Sequence, residues 1–257
     1  MKKAFKYIYG PVPSWRLGAS LGIDVFSCSR KVCNFDCLYC QLGRTAKFTN
    51  KPEAHAKLSE IVVELNSLPH LKVDYVTFSG CGESTLEKNL GKIIKAVKKL
   101  NIAPVAVLSN AVLINKAGVS KALSFADLVV LKLDAYSQRC LEKINRPHKG
   151  VRFEQIYRGI RKFRNSFKGK LALQMMFTQD NEGAAEKLAE LARAINPDEV
   201  QINTPLRRCA IKPLSKVRIA KIKKYFKGLN IISVYDLSRK KVAPISKQQT
   251  KNRRGQL

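Results

Sequence analysis

Three cysteines in one short run, Cys33-Asn34-Phe35-Asp36-Cys37-Leu38-Tyr39-Cys40, restrict this chain more than any other feature. They fall at C-x3-C-x2-C spacing soon after an apolar stretch at residues 21–26. A loop this tight turns three sulfurs toward one point, the donor set of an iron–sulfur cluster. An all-protein cluster and four-coordinate zinc each need a fourth ligand, and no neighbouring residue is an obvious one. An iron left without a protein ligand is free to bind a small molecule. The competing reading is a zinc knuckle completed by the distant His55, but structural zinc sites pair their ligands closely, as C-x2-C with a second pair nearby. A disulfide scaffold fits less well. The seven cysteines are an odd number, and the basic start lacks the apolar run of an export signal, so a reducing, cytoplasmic setting is expected.

At 257 residues and 45% hydrophobic content the chain is long and apolar enough to bury a full core, which excludes a disordered segment. No apolar run reaches the ~20 residues of a membrane span, so no membrane partner is expected. The charge says more. There are 48 Lys and Arg against 19 Asp and Glu, a net charge of +29, and a field of that sign favours polyanions. From residue 200 onward sixteen basic residues face a single acid, Asp236. A thermophile's surface would mix both signs in networks, whereas here the acids are missing. RNA is the expected partner, held by this basic C-terminal region. Cutting the chain after Asp236 is expected to weaken RNA binding and leave the cysteine loop untouched.

Residues 7–16 are aromatic and basic with two prolines, and read as an irregular arm. Beyond it, strands are expected at 21–26, 73–78, 104–108, 128–133, 171–177 and 199–203, separated by helical stripes such as Leu86, Leu90, Ile93, Ile94 and Val97. A last helix near 214–226 and a strand at 231–235 follow. Alternating βα units imply a parallel sheet with helices outside, and the pattern alone fits a doubly wound sheet as well as a barrel. The chain divides into an arm (1–20), an α/β core (21–212) and a basic helix, strand and tail (213–257) of the same domain. Polar residues gather where the strands end: Ser79-Gly80-Cys81-Gly82-Glu83, Ser109-Asn110, Asp134 and Asn203-Thr204-Pro205. In α/β folds those ends border the active site.

Gly80-Cys81-Gly82-Glu83 lacks the third glycine of a dinucleotide fingerprint, but a carboxylate beside exposed carbonyls suits a cation. This stretch resembles the GGE motif of radical S-adenosylmethionine (SAM) enzymes, with Cys81 where a glycine often stands. The cysteine run closely resembles their C-x3-C-x-aromatic-C signature, with Tyr39 as the aromatic. The N-terminal Gly10-Pro11-Val12-Pro13-Ser14-x-Arg16-Leu17-Gly18, the run Tyr39-Cys40-Gln41-Leu42-Gly43 and the strand Val200-Gln201-Ile202-Asn203-Thr204-Pro205 are similar to one branch. That branch is the small radical SAM proteins related to wyosine tRNA synthases (4-demethylwyosine synthase-like). The resemblance implies a partial (β/α)6 radical SAM barrel with a basic C-terminal extension. It implies a [4Fe–4S] cluster on Cys33, Cys37 and Cys40, and SAM across the strand ends. Tyr39 would face the adenine, Gly82 and Glu83 the methionyl amine, Ser109 and Asn110 the pocket wall, and Asp134 and Asn203 the pocket generally. Wyosine synthases carry additional N-terminal cysteines for a second cluster, and only Cys28 precedes the motif here.

The activity this implies is reductive cleavage of SAM to a 5′-deoxyadenosyl radical, with one electron from a reducing donor, acting on RNA and on tRNA first. Two other readings remain: a protein or peptide substrate, as in activases and maturases, and a non-catalytic metal- or cluster-bearing RNA-binding module. Cys28, Cys81, Cys140 and Cys209 are candidates for an auxiliary cluster, although isolated cysteines are usually inert. His55, His70 and His148 share no metal-ligand spacing.

Overall fold

The computed structural model describes residues 5–27 and 30–254, so Cys28 lies outside the described residues. Strands β1 (Ile8–Ser14), β2 (Gly18–Ile23), β3 (Val32–Cys33) and β4 (Lys47–Phe48) precede α1 (Leu58–Asn66). Then β5 (Tyr75–Phe78), α2 (Leu90–Lys99), β6 (Val105–Ser109), α3 (Ala117–Leu123) and β7 (Leu128–Lys132) alternate. Two helices, α4 (Gln138–Asn145) and α5 (Phe153–Ser166), separate β7 from β8 (Lys170–Met176). The order ends with α6 (Ala185–Ile195), β9 (Glu199–Asn203), α7 (Lys216–Tyr225), β10 (Ile231–Ser233) and α8 (Lys247–Arg254).

One eight-stranded sheet runs β1-β2-β5-β6-β7-β8-β9-β10, parallel throughout except for the antiparallel pair β1–β2. The spatial order never reverses. Right-handed crossovers between strands laid down in one direction put every helix on the same face. A doubly wound sheet needs a reversal to cover both faces. The two architectures left open by the sequence therefore separate here, in favour of a curled, barrel-like sheet.

The period-two alternation of the strands sorts residues onto the two faces. Val76, Phe78, Val105, Val107, Val129, Leu131, Leu171, Leu173, Val200 and Ile202 belong to the core shared with the helices. Their alternates line the other face. Ala106, Leu128, Val130 and Ala172 close it at one end together with Leu17 from the β1–β2 turn. Further along the same strands stand Thr77, Lys132, Gln174 and Asn203, which border a cavity.

Two segments differ from the sequence expectation. Residues 8–14 form the edge strand β1 rather than an irregular arm. Pro11 and Pro13 donate no N–H, and an edge strand tolerates that because one of its sides is unpaired. The basic tail, expected to be removable after Asp236 without disturbing the site, is instead tied into the sheet. After β10, at the far edge of the sheet, it crosses to β1: Ile245 N donates to Gly10 O at 2.7 Å, and Gly10 N donates to Thr250 Oγ1 at 3.1 Å. Lys240 Nζ pairs with Asp74 at 2.7 Å. Arg253 then enters the core, 2% exposed, with its Nε 3.1 Å from the buried Asp24 Oδ2.

Removing one member of a buried pair leaves the other charged and unsolvated, at a cost of about 3–5 kcal/mol. Urea unfolding of Arg253→Met should read a loss of that order, and Asp24→Asn in the same chain should recover most of it. Cutting after Asp236 should destabilise the whole fold, contrary to the expectation from charge distribution alone.

Candidate active site

The cavity has a volume of about 340 Å³ and opens at the C-terminal ends of the strands. Cys33, Cys37 and Cys40 border it, as do Tyr39, Gly82, Glu83, Ser109, Asn110 and Asn203. Asp134 does not. It is 3% exposed and stands behind Tyr39.

The loop that carries the thiols is pinned at its start to the loop after β5. Val32 N donates to Cys81 O at 3.0 Å, and Glu83 N donates to Val32 O at 2.9 Å. The two backbones meet face to face at Gly82, where an added Cβ would lie 1.8 Å from Val32 O. Only glycine allows that approach. The far side of the loop rests on α4: Leu38 N donates to Ile144 O at 3.0 Å and Asp36 N to Asn145 O at 3.0 Å.

Amide groups point at the sulfurs. Phe35 N lies 3.4 Å from Cys33 Sγ, Asn110 Nδ2 3.8 Å from the same sulfur, and Asn145 Nδ2 3.4 Å from Cys37 Sγ. Burial pushes the Cys37 thiol up to about 11, and raises Cys33 further, with Glu83 adding to the rise. Cys33 and Cys37 therefore keep their protons until a metal displaces them. Lys31 is within electrostatic reach of all three sulfurs. Among the described residues, no three His, Cys, Asp or Glu side chains converge on a point for a single ion. The three sulfurs instead flank open space with N–H donors directed at them, which is the setting of a cluster whose thiolates are tuned by hydrogen bonds. The donor set fits a [4Fe–4S] cluster held by Cys33, Cys37 and Cys40.

Glu83 is 4% exposed and heavily bonded: Oε1 accepts from Ser109 Oγ at 2.8 Å and Thr85 Oγ1 at 2.7 Å, and Oε2 from Asn110 N at 2.7 Å. Burial raises its pKa, and these donors oppose the rise. Asn110 links the two motifs, since its side chain also donates to Asn34 Oδ1 at 2.5 Å. The Tyr39 hydroxyl donates to Asp134 Oδ2, because burial and then the Asp134 carboxylate raise the phenol well above its ordinary value. Asn145 Nδ2 bonds both the Tyr39 oxygen and Asp134 Oδ2 at 2.9 Å, and Met176 N donates to Asp134 Oδ1 at 2.8 Å. Asp134 thus fixes the plane of the Tyr39 ring, whose face has Lys132 Nζ 4.9 Å from its centroid.

Lys132, Asn145 and the cavity-facing Arg207, Arg239, Arg253 and Arg254 were missed by motif reading. Lys132 carried one signal, a lone charge in the apolar strand Leu128-Val129-Val130-Leu131-Lys132-Leu133. Seven basic side chains border the cavity, against one acid among the described residues, Glu83. Cys81, Cys140 and Cys209 border no part of it.

Residues 30–192 match the family model of the Radical SAM superfamily. The UPF0026 protein slr1464 of Synechocystis sp. is 42% identical over 217 residues, covering 84% of this chain and 80% of that protein. Streptococcus suis SuiB, solved bound to S-adenosylmethionine, superposes with a TM-score of 0.62 at 17% identity, over 79% of this chain and 48% of that one. Archaeal TYW1 gives 0.59 at 15% identity, over 82% and 72%. At these identities the two structures share the fold.

Anaerobic reconstitution should load roughly four irons and four sulfides per chain, and Cys33→Ala, Cys37→Ala or Cys40→Ala should each abolish this. Gly82→Ala, which leaves every thiol in place, should also fail to assemble the group, because its methyl displaces the cysteine loop. Iron and acid-labile sulfide analysis reads both outcomes. One bound zinc without sulfide would refute the cluster assignment.

Proposed function

Because the chain belongs to the radical SAM superfamily, and within it to the UPF0026 proteins, we propose that it starts radical chemistry on RNA, with tRNA the first candidate. The family's cofactors are a [4Fe–4S] cluster and SAM. Held by Cys33, Cys37 and Cys40, a cluster reduced by an external one-electron donor would supply the electron that cleaves the SAM sulfonium into methionine and a 5′-deoxyadenosyl radical.

The chain's own residues bind and orient. The Glu83 carboxylate and the Gly82 backbone face the methionyl ammonium, Ser109 and Asn110 hold Glu83 in place, and Asn203 borders the pocket from β9. Tyr39, with its hydroxyl fixed by Asp134, offers a rigid ring face to the adenine. The observation that carries the choice of RNA is the sign of the field. A net charge of +29 surrounds a cavity bordered by seven cations and one carboxylate, an arrangement that draws in a polyanion and repels a cationic peptide. No helix among the described residues is long and apolar enough to cross a membrane.

Two outcomes test this reading. Glu83 pairs with the ammonium only when ionised, and burial raises its pKa above the ordinary range near ~4.3. SAM affinity should therefore hold at neutral pH and fall as the pH drops through that raised value, while Glu83→Gln should bind SAM weakly at every pH with its iron intact. Isothermal titration of SAM against the reconstituted protein at stepwise lower pH measures this. For the substrate, removal of the gene should delete one modified nucleoside from cellular RNA, and Cys37→Ala should not restore it. An unchanged nucleoside profile by mass spectrometry would move the substrate to a protein or peptide.

A further inference from the structure

Most cations around the cavity are already matched. Arg253 pairs with Asp24, Lys31 Nζ donates to Gly43 O at 2.8 Å, Lys132 lies 3.4 Å from Asp134, and Arg207 Nη1 reaches Gln41 Oε1 at 2.5 Å. Two are not. Arg254 is 7% exposed, borders the cavity, and has no hydrogen bond or carboxylate among the described residues. Arg16, in the β1–β2 turn, also borders it, and its Nε is sealed from solvent with no partner. The Arg16 guanidinium sits beside the Trp15 ring, 5.7 Å from the centroid.

The two guanidinium groups also act on each other: burial lowers the pKa of both, and the charge of Arg254 lowers that of Arg16 further. The one carboxylate within electrostatic reach of Arg16, Glu199, is already paired with Lys170 at 2.8 Å. Two like charges drawn out of water and left without a dedicated counter-charge among the described residues cost stability, and a protein keeps such a pair where an anion completes it. Guanidinium forks match the oxygens of phosphate in paired geometry. The Trp15 and Tyr9 rings border the same cavity and provide apolar, stackable surface. The two arginines come from opposite ends of the sequence, one from the β1–β2 turn and one from the tail, so the site exists only when the tail has closed on β1.

We propose that Arg16 and Arg254 form a phosphate-binding subsite that seats a phosphoryl group of the substrate inside the cavity. The proposal rests on the RNA reading above and narrows it. The phosphate is either a backbone diester of RNA or the ester of a free nucleotide, and both present the same oxygens to the two forks.

The test uses the reconstituted full chain, with Arg16→Gln and Arg254→Gln, which keep most of the side-chain volume. Inorganic phosphate should raise the melting temperature of the natural protein, and the increment should vanish in either variant. Adenosine 5′-monophosphate should bind more tightly than adenosine, and each variant should lose about tenfold or more of that advantage, the equivalent of one charge-assisted hydrogen bond. The exposed Lys227→Gln should change neither result. A trinucleotide without a terminal phosphate separates the sources. Binding that depends on both arginines assigns the backbone diester, and binding of the monophosphate alone assigns a free nucleotide. Without added phosphate, both variants should be at least as stable as the natural protein, because a repulsion has been removed.

An equal phosphate increment in the natural protein and both variants overturns the proposal, as does a loss of SAM affinity without loss of phosphate binding, which would give the arginines to the SAM carboxylate. SAM cleavage without substrate is recorded in parallel. Its absence with phosphate binding intact would refute the radical reading and leave the subsite standing, whereas the converse would refute the subsite alone.

Discussion

The meeting of two backbones at Val32 and Gly82 sets the geometry on which the rest of the site depends. The thiols are on a loop after β2, the carboxylate is on a loop after β5, and neither loop is rigid by itself. Two hydrogen bonds through Val32 fix their separation, and the missing Cβ at Gly82 allows it. Asn110 then ties Glu83 to Asn34 within the cysteine loop. The three thiols and the Glu83 carboxylate are thereby held side by side on one cavity wall.

The second determinant is the closure of the sheet. A sheet whose order never reverses has two free edges and one uncovered face. The tail spans from one edge to the other, and the buried Arg253–Asp24 pair locks it there. Asp24 also accepts from Cys81 N at 3.2 Å, so the same carboxylate that anchors the tail braces the loop carrying Gly82 and Glu83. Folding of the tail and shaping of the cofactor end of the cavity are thus one event. The basic tail contributes at least three cations, Arg239, Arg253 and Arg254, to the cavity wall, where charge counted along the sequence places them on a solvent-facing surface.

Much of this was legible in the sequence because it is local. The thiol spacing, the polar residues at strand ends and the βα alternation each need only a few neighbouring residues to be recognised. The strands at 199–203 and 128–132 follow from apolar content, and their bounds agree closely with expectation. Residues 8–14 were misread because proline argues against a strand unless its edge position is known, and that position is a property of the whole sheet. The placement of Arg253 and Arg254 was hidden for the same reason, since nothing near them in sequence signals a partner more than two hundred residues away. Asp134 was recognised as a site residue from its strand end, yet it acts through Tyr39, a relation visible only once β7 and the cysteine loop are adjacent.

SAM turnover by the chemically reduced, anaerobically reconstituted protein, without any substrate, is the most direct measurement of what this cavity does. The geometry predicts 5′-deoxyadenosine and methionine in equal amounts, and neither product from Cys40→Ala. A protein that holds iron and sulfide, accepts electrons and leaves SAM intact would contradict it.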